Sequence, residues 1–277
     1  MSNLHVFSQI IQNFNKININ EIEPTIDNIN KNIFDVLIDK LVEFIFNELN
    51  EGVYKEIVKD KFLKYMNDHE IISQEIYYYL LNNQNNPNSI YLLGYFNYYG
   101  IGVSANKQRA FELYQKAMEL QNYVAQLDLA EMYICGSGVK KDSNRAYELS
   151  KKLAENGFPS GINKLGYCYE KGIGTSVDLQ KAYEFYRKAA DLGNSTGMNN
   201  LGYCYYSGIG TAVDKQKGFE LYKKSAILNN DLAQYNLALK YEKGDGIKRD
   251  IDKAIYWYKK SADQGLHDAQ YKFKYLQ

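Results

Sequence analysis

Apolar residues recur with helical spacing along most of the chain, and from residue 87 onward they recur as a block. Leu93, Leu129, Leu165, Leu201 and Leu237 stand 36 residues apart, and Phe273 continues the series. A small residue follows each leucine: Gly94, Ala130, Gly166, Gly202 and Ala238. Four residues after the leucine stand Tyr133, Tyr169, Tyr205 and Tyr241, with Asn97 in the first unit. In 125–133 the residues Ala125, Leu129, Ala130 and Tyr133 fall on one face of a helix, here termed helix A. A G-x-G follows in every unit, from Gly100/Gly102 through Gly136/Gly138, Gly172/Gly174 and Gly208/Gly210 to Gly244/Gly246. Glycine reaches the left-handed conformation at low cost, so this element predicts the end of helix A.

The second half of each unit repeats equally well. Asn106, Asp142, Asp178, Asp214 and Asp250 share one position and predict the N-cap of a second helix, B. Four residues later come Ala110, Ala146, Ala182, Gly218 and Ala254, then Tyr114, Ser150, Tyr186, Tyr222 and Tyr258. In the third unit the pattern predicts a helix from Leu179 to about Leu192 that buries Ala182, Phe185, Tyr186 and Ala189. Asn122, Asn194 and Asn230 precede helix A, and Pro87 and Pro159 occupy its first turn. One such helix pair cannot bury its apolar stripe alone, whereas stacked neighbours can. The expectation is five repeats, at about 87–122, 123–158, 159–194, 195–230 and 231–266, closed by a partial capping helix at 267–277.

The segment before the repeats lacks the 36-residue pattern. Residues 1–25 are rich in Asn and Ile with weak periodicity and are expected to be flexible. Residues 26–86 read as a helical cap or linker. An amphipathic stripe runs from Ile29 to Ile45, Gly52 interrupts it, and further helices are predicted over 53–66 and over 73–82 with Ser73 as cap.

The pattern L-G-x-x-Y…A-x-x-x-Y is similar to that of a tetratricopeptide repeat, with a longer connection that carries G-x-G. That variant resembles the Sel1-like repeat, and LGYCYEKGIGTSVDLQKAYEFYRKAADLG at 165–193 matches it along its whole length. The resemblance covers roughly residues 87–277. It implies an all-α fold, a right-handed α-solenoid used as an adaptor surface in many pathways. The segment QEIYYYLLNNQNNPNSIYLLGYFNYYG looks like the one that leads into the repeats in a fungal group of these proteins. Some members of that group carry a kinase domain before it, but neither H-R-D nor D-F-G occurs here. By the same resemblance, an activator of chitin synthase or a regulatory subunit of a kinase pathway is an alternative to a general scaffold.

Composition narrows the chemistry. The 277 residues carry 33 Lys+Arg against 33 Asp+Glu, and the aromatics are not interleaved with a basic stripe, so nucleic acid is not an expected partner. No run of 18 apolar residues and no basic leader with an apolar core is present, so neither membrane insertion nor secretion is expected. Three cysteines are too few for a disulfide framework and fit a reducing, cytoplasmic setting. The three histidines, His5, His69 and His267, are isolated in sequence, so no metal and no cofactor is expected. The G-x-G loops lack the G-K-[ST] of a phosphate loop and read as helix ends. A hydrolase, of β-lactamase or peptidase type, would need a nucleophile beside a base, and none is visible, so the chain is expected not to be an enzyme.

The expected role is a monomeric scaffold that binds a protein or peptide in a concave groove lined by the A helices. Two positions before the leucine lie Tyr91, Leu127, Asn163, Asn199 and Tyr235; two after lie Tyr95, Glu131, Tyr167 and Tyr203; five after lie Tyr98, Glu170, Tyr206 and Glu242. By resemblance these match the ligand-facing positions of tetratricopeptide repeats. Tyrosine offers a large contact area with a hydroxyl at its tip, and an asparagine carboxamide can pair with both C=O and N–H of a peptide. Asn163 and Asn199, one repeat apart, are candidates to clamp an extended segment.

Overall fold

The computed structural model describes residues 24–276, with side chains from residue 33. The expected flexible stretch 1–25, but for its last two residues, lies outside the described residues, as does His5. The described residues form fourteen helices and no strand. Three precede the repeats: α1 (Pro24–Asn50), α2 (Lys55–Asp68) and α3 (Ser73–Asn82). The repeats then alternate A and B helices. The first four are α4 (Pro87–Tyr99), α5 (Lys107–Glu119), α6 (Tyr123–Cys135) and α7 (Ser143–Glu155). They are followed by α8 (Pro159–Lys171), α9 (Leu179–Asp191), α10 (Ser195–Ser207), α11 (Lys215–Ile227), α12 (Asp231–Lys243) and α13 (Ile251–Asp263). The last, α14 (His267–Leu276), is an A helix without a B partner.

Local chemistry sets these boundaries. The five acidic or amide N-caps of the B helices each accept the backbone N–H three residues on, as Asp178 Oδ1 does from Lys181 at 3.0 Å. Asn122, Asn194 and Asn230 do the same for their A helices at 2.7–2.8 Å. Ser73 departs from its expected role. Ile72 occupies the N-cap of α3 without a side-chain bond, and Ser73 is already the first helical residue. The first glycine of each G-x-G ends its helix with positive φ, 67° at Gly172, where its N–H bonds to the carbonyl of Cys168. The second glycine has a different cause. A Cβ on Gly174 would stand 2.3 Å from the Ser143 carbonyl oxygen, so this position lets the loop close on the first turn of the preceding B helix.

The chain divides into two compact units: residues up to Phe46 with Lys59–Asp128 and Ser137–Val139, and Asn47–Val58 with Leu129–Gly136 and Lys140–Gln277. In the first unit, α2 packs on α4 through Phe62, whose ring stands edge-on to Tyr95 and Phe96 at 5.3 and 6.1 Å. Phe34 of α1 stacks on Tyr79 of α3 at 4.2 Å, and the Tyr79 hydroxyl donates to Asp35 at 3.2 Å.

In the second unit, Leu165, Leu201 and Leu237 are buried as their repeat position demands. The fully buried Tyr186 and Tyr258 and the nearly buried Tyr222 lie against the small residue beside each leucine. Trp257 packs against the Phe219–Leu237 cluster and the Ala238–Tyr258 cluster. The segment 26–86, read from the sequence as a helical cap or linker, is shared between the units, because residues 47–58 belong with the later repeats. Their polar contacts, described below, account for this.

Candidate functional site

The residues expected to line one groove have separate fates. Tyr91, Tyr95, Tyr98 and Leu127 belong to the first unit. Tyr91, Tyr95 and Leu127 are buried rather than ligand-facing. Tyr91 stacks on Tyr114 at 5.4 Å and donates to Asp128 at 3.0 Å, so its ring fills the space between successive helices. Tyr95 is covered by Phe62, from outside the repeats. Tyr98 is partly buried, shares a hydrogen bond with Ser137 at 3.2 Å and lies under Lys107.

In the second unit the candidate asparagines hold each other. Asn200 Nδ2 donates to Asn163 Oδ1 at 3.0 Å, Asn199 to Asn200 at 3.4 Å, and Asn236 to Asn199 at 2.9 Å. This ladder arises because an asparagine one residue beyond the repeat equivalent of its predecessor sits within amide reach on the next A helix. Asn199 is buried. The carboxamides expected to clamp a peptide thus join neighbouring helices.

The acidic candidates are paired as well. Glu170 accepts from the Tyr186 hydroxyl at 2.6 Å and from Lys171 at 2.6 Å. Glu242 accepts from Tyr258 and from Lys272. Glu131 pairs with Lys164, whose charge, with that of Lys55 behind it, holds the carboxyl well below the usual carboxylate range. Tyr206 stacks on Tyr222 at 5.5 Å and donates to the Asp245 carbonyl at 2.8 Å, with Lys240 over its ring at 3.8 Å. Burial first, then the Asp245 charge, push its phenol up to about 12. Tyr235 is partly buried beside Tyr258.

Two candidates remain at the surface. Tyr167 and Tyr203 hold equivalent positions on α8 and α10 and are 37% and 47% exposed. They hold the A-helix position at which Glu131 carries the ion pair, one repeat before Tyr167 and two before Tyr203. Burial pushes the Tyr167 phenol up, so it stays neutral and able to donate a hydrogen bond.

A further cluster, the N-terminal ends of α8 and α10 with the turn Asn50–Gly52, lies outside the repeat pattern. Asn50 Oδ1 accepts from the Ser160 hydroxyl at 2.7 Å and from its N–H at 3.4 Å. Asn194 Nδ2 donates to the Asn50 carbonyl at 2.9 Å, and the Ser195 N–H to that of Glu51 at 2.8 Å. The Gly52 carbonyl accepts from Ser195 Oγ at 3.1 Å and Thr196 Oγ1 at 2.7 Å. A signal for this was present. Phe158 stands where its neighbours carry Asn122, Asn194 and Asn230, and it makes no side-chain cap bond, so α8 lacks a cap of its own. Asn50 supplies one.

Among the described residues no group of three or more His, Cys, Asp or Glu is placed to hold a metal ion, and no helix is long and apolar enough to cross a membrane. Fold and surface together define an α-solenoid of short helical repeats, the class that presents side chains from successive A helices. The chain belongs to the Sel1 repeat family, whose repeat model matches residues 87–122, 124–158, 159–194, 195–230 and 231–266. Proteins of this family generally act as protein-interaction scaffolds.

A Sel1 repeat protein from Oxalobacter formigenes is 35% identical, with a TM-score of 0.60 over 68% of this chain and 77% of that one. A protective antigen of uropathogenic Escherichia coli with an SLR fold is 31% identical, with a TM-score of 0.56; the likeness covers 77% of this chain and 47% of the antigen. The immunity protein PA5088 from Pseudomonas aeruginosa is 26% identical, with a TM-score of 0.53 over 68% of each chain. A comparison with curated proteins gives no match.

Proposed function

We propose that this chain is a non-enzymatic scaffold that recognises a protein partner through the A helices of its third and fourth repeats, with Tyr167 and Tyr203 as the contact residues. The observation that carries this reading is the contrast along one repeat position. Glu131 is consumed by Lys164, whereas Tyr167 and Tyr203 leave much of their rings in solvent. A tyrosine pair on a rigid helical scaffold gives contact area at low entropic cost.

The partner suited to this face is a peptide or helix that presents an apolar edge to the two rings and a carbonyl to a hydroxyl. Asn163 and Asn199 are assigned to the scaffold, since their amides are committed to the ladder. The test is capture of partners from a matched cell lysate by the intact chain and by a Tyr167→Ala/Tyr203→Ala variant with the same circular dichroism. A partner held by the first and lost by the second supports the reading; equal capture by both refutes it.

A further inference from the structure

The turn Asn50–Gly52 is seated on the repeats like a ligand. Three consecutive residues accept six hydrogen bonds, all donated by Ser160, Asn194, Ser195 and Thr196. The turn is the C-terminal end of α1. Gly52 N–H bonds to the Leu49 carbonyl and Val53 N–H to that of Glu48, which closes the helix and turns its last carbonyls outward. The negative end of one helix dipole therefore meets the positive ends of α8 and α10.

The seat reads two features besides main chain. Asn50 supplies the side-chain acceptor that α8 lacks. Gly52 has φ +84°, and a Cβ there would stand 2.7 Å from the Thr196 nitrogen and 2.9 Å from that of Ser195, so only glycine fits.

Two of the seat's residues would also be satisfied without the turn. Elsewhere the capping asparagine of an A helix donates straight to the residue 34 positions earlier: Asn122 to Asn88 at 2.8 Å, and Asn230 to Thr196 at 3.2 Å. The residue 34 positions before Asn194 is Ser160, and here Asn50 is interposed between the two. When the turn leaves, Asn194 can bond Ser160 directly, as its counterparts do. Asn194 and Ser160 then satisfy each other, while the Ser195 N–H and the Ser195 and Thr196 hydroxyls are left to water, so the penalty against exchange is reduced.

We propose that the N-terminal ends of α8 and α10 form an exchangeable recognition site for a helix C-terminus that ends in Asn-x-Gly, filled here by the chain's own turn and open to a partner protein carrying the same ending. The chain's own turn acts as a built-in competitor. A tethered competitor has an effective concentration of the order of millimolar, so a segment of ~10–100 μM intrinsic affinity lowers apparent binding in trans by roughly tenfold to a hundredfold.

The probe is a fluorescein-labelled peptide, a soluble alanine- and lysine-rich helix ended by residues 47–56 of this chain, titrated by fluorescence anisotropy against the full chain. Gly52→Val evicts the resident turn through the positive φ and the missing space. The expected result is binding at least about tenfold tighter to Gly52→Val than to the unaltered chain. Adding Ser195→Ala and Thr196→Ala should abolish it, and so should a Gly→Val change in the peptide. Equal affinity for the unaltered and Gly52→Val chains, or retention when the two hydroxyls are removed, overturns the proposal.

A second measurement does not depend on any variant folding. In the 15N-labelled unaltered chain, excess unlabelled peptide should shift the Gly52 amide resonance to that of a released turn, while the Gly→Val peptide leaves it in place. No shift with either peptide overturns the proposal equally.

Discussion

The small residue beside each repeat leucine and the residue that faces it on helix B form a size-matched pair, and a mutant cycle at Gly166 and Tyr186 measures the match. A Cβ on Gly166 would lie 2.9 Å from both Cδ1 and Cε1 of Tyr186. The ring cannot simply retreat, because its hydroxyl is held by Glu170 at 2.6 Å. Overpacking of this kind costs about 1–3 kcal/mol, against which alanine in a helix interior returns about 1 kcal/mol over glycine. The lower half of that range applies, since Ala238 packs with Tyr258 in the fifth repeat. The net for Gly166→Ala is then a loss of up to about 1 kcal/mol.

Tyr186→Ser alone removes a fully buried ring and should cost about 3–5 kcal/mol. In that background the alanine meets no ring, as in the second repeat, where Ala130 and Ser150 occupy the same two positions. Gly166→Ala should then stabilise by up to about 1 kcal/mol, so its effect changes sign and the coupling is about 1–2 kcal/mol. Urea unfolding of the four proteins, followed by far-UV circular dichroism, gives the cycle. Additive effects, with Gly166→Ala destabilising in both backgrounds, would refute the argument that ring volume dictates glycine here.

The remaining predictions concern caps, the amide ladder and thiols. The carboxyls of Asp178 and Asp214 are depressed chiefly by the backbone N–H each caps, and that of Asp250 chiefly by Lys253. A depressed carboxyl contributes stability above its ordinary value of about 4 and loses it as pH falls through the folded value. Melting temperature should therefore drop on acidification below about pH 4, and a triple Asp→Asn variant, which keeps the caps, should show a flatter profile in a thermal scan. Asn163→Ala with Asn199→Ala should lower unfolding free energy by about 1–3 kcal/mol through lost amide bonds, measured by urea titration; unchanged stability would return the pair to partner binding. Cys135 is exposed, while Cys168 and Cys204 are buried, and burial pushes the Cys204 thiol up to about 12. A thiol reagent should therefore modify one cysteine in the folded chain and the other two only on unfolding, as counted by mass spectrometry.

Periodicity determined most of the fold. Helix identity, the leucine core, the aspartate caps and the glycine stops depend on residues at most a few turns apart, so a pattern repeated five times states them without ambiguity. The amphipathic stripe before the repeats likewise announced α1, and Gly52 its end. The site was legible only in part. Tyr167 and Tyr203 were readable as positions, but which of their equivalents stay free depends on neighbours from other elements. Phe62 covers Tyr95, Asp128 takes the hydroxyl of Tyr91, and Lys164 neutralises Glu131. Asn163 and Asn199 carry the chemistry of a peptide clamp, and only the spacing of adjacent helices directs their amides at one another instead. The seating of Asn50–Gly52 joins residues more than a hundred positions apart. Its one trace in the sequence is the absence of an asparagine at Phe158, because an unsatisfied helix end states that a partner is needed while the packing of the chain decides which residue answers.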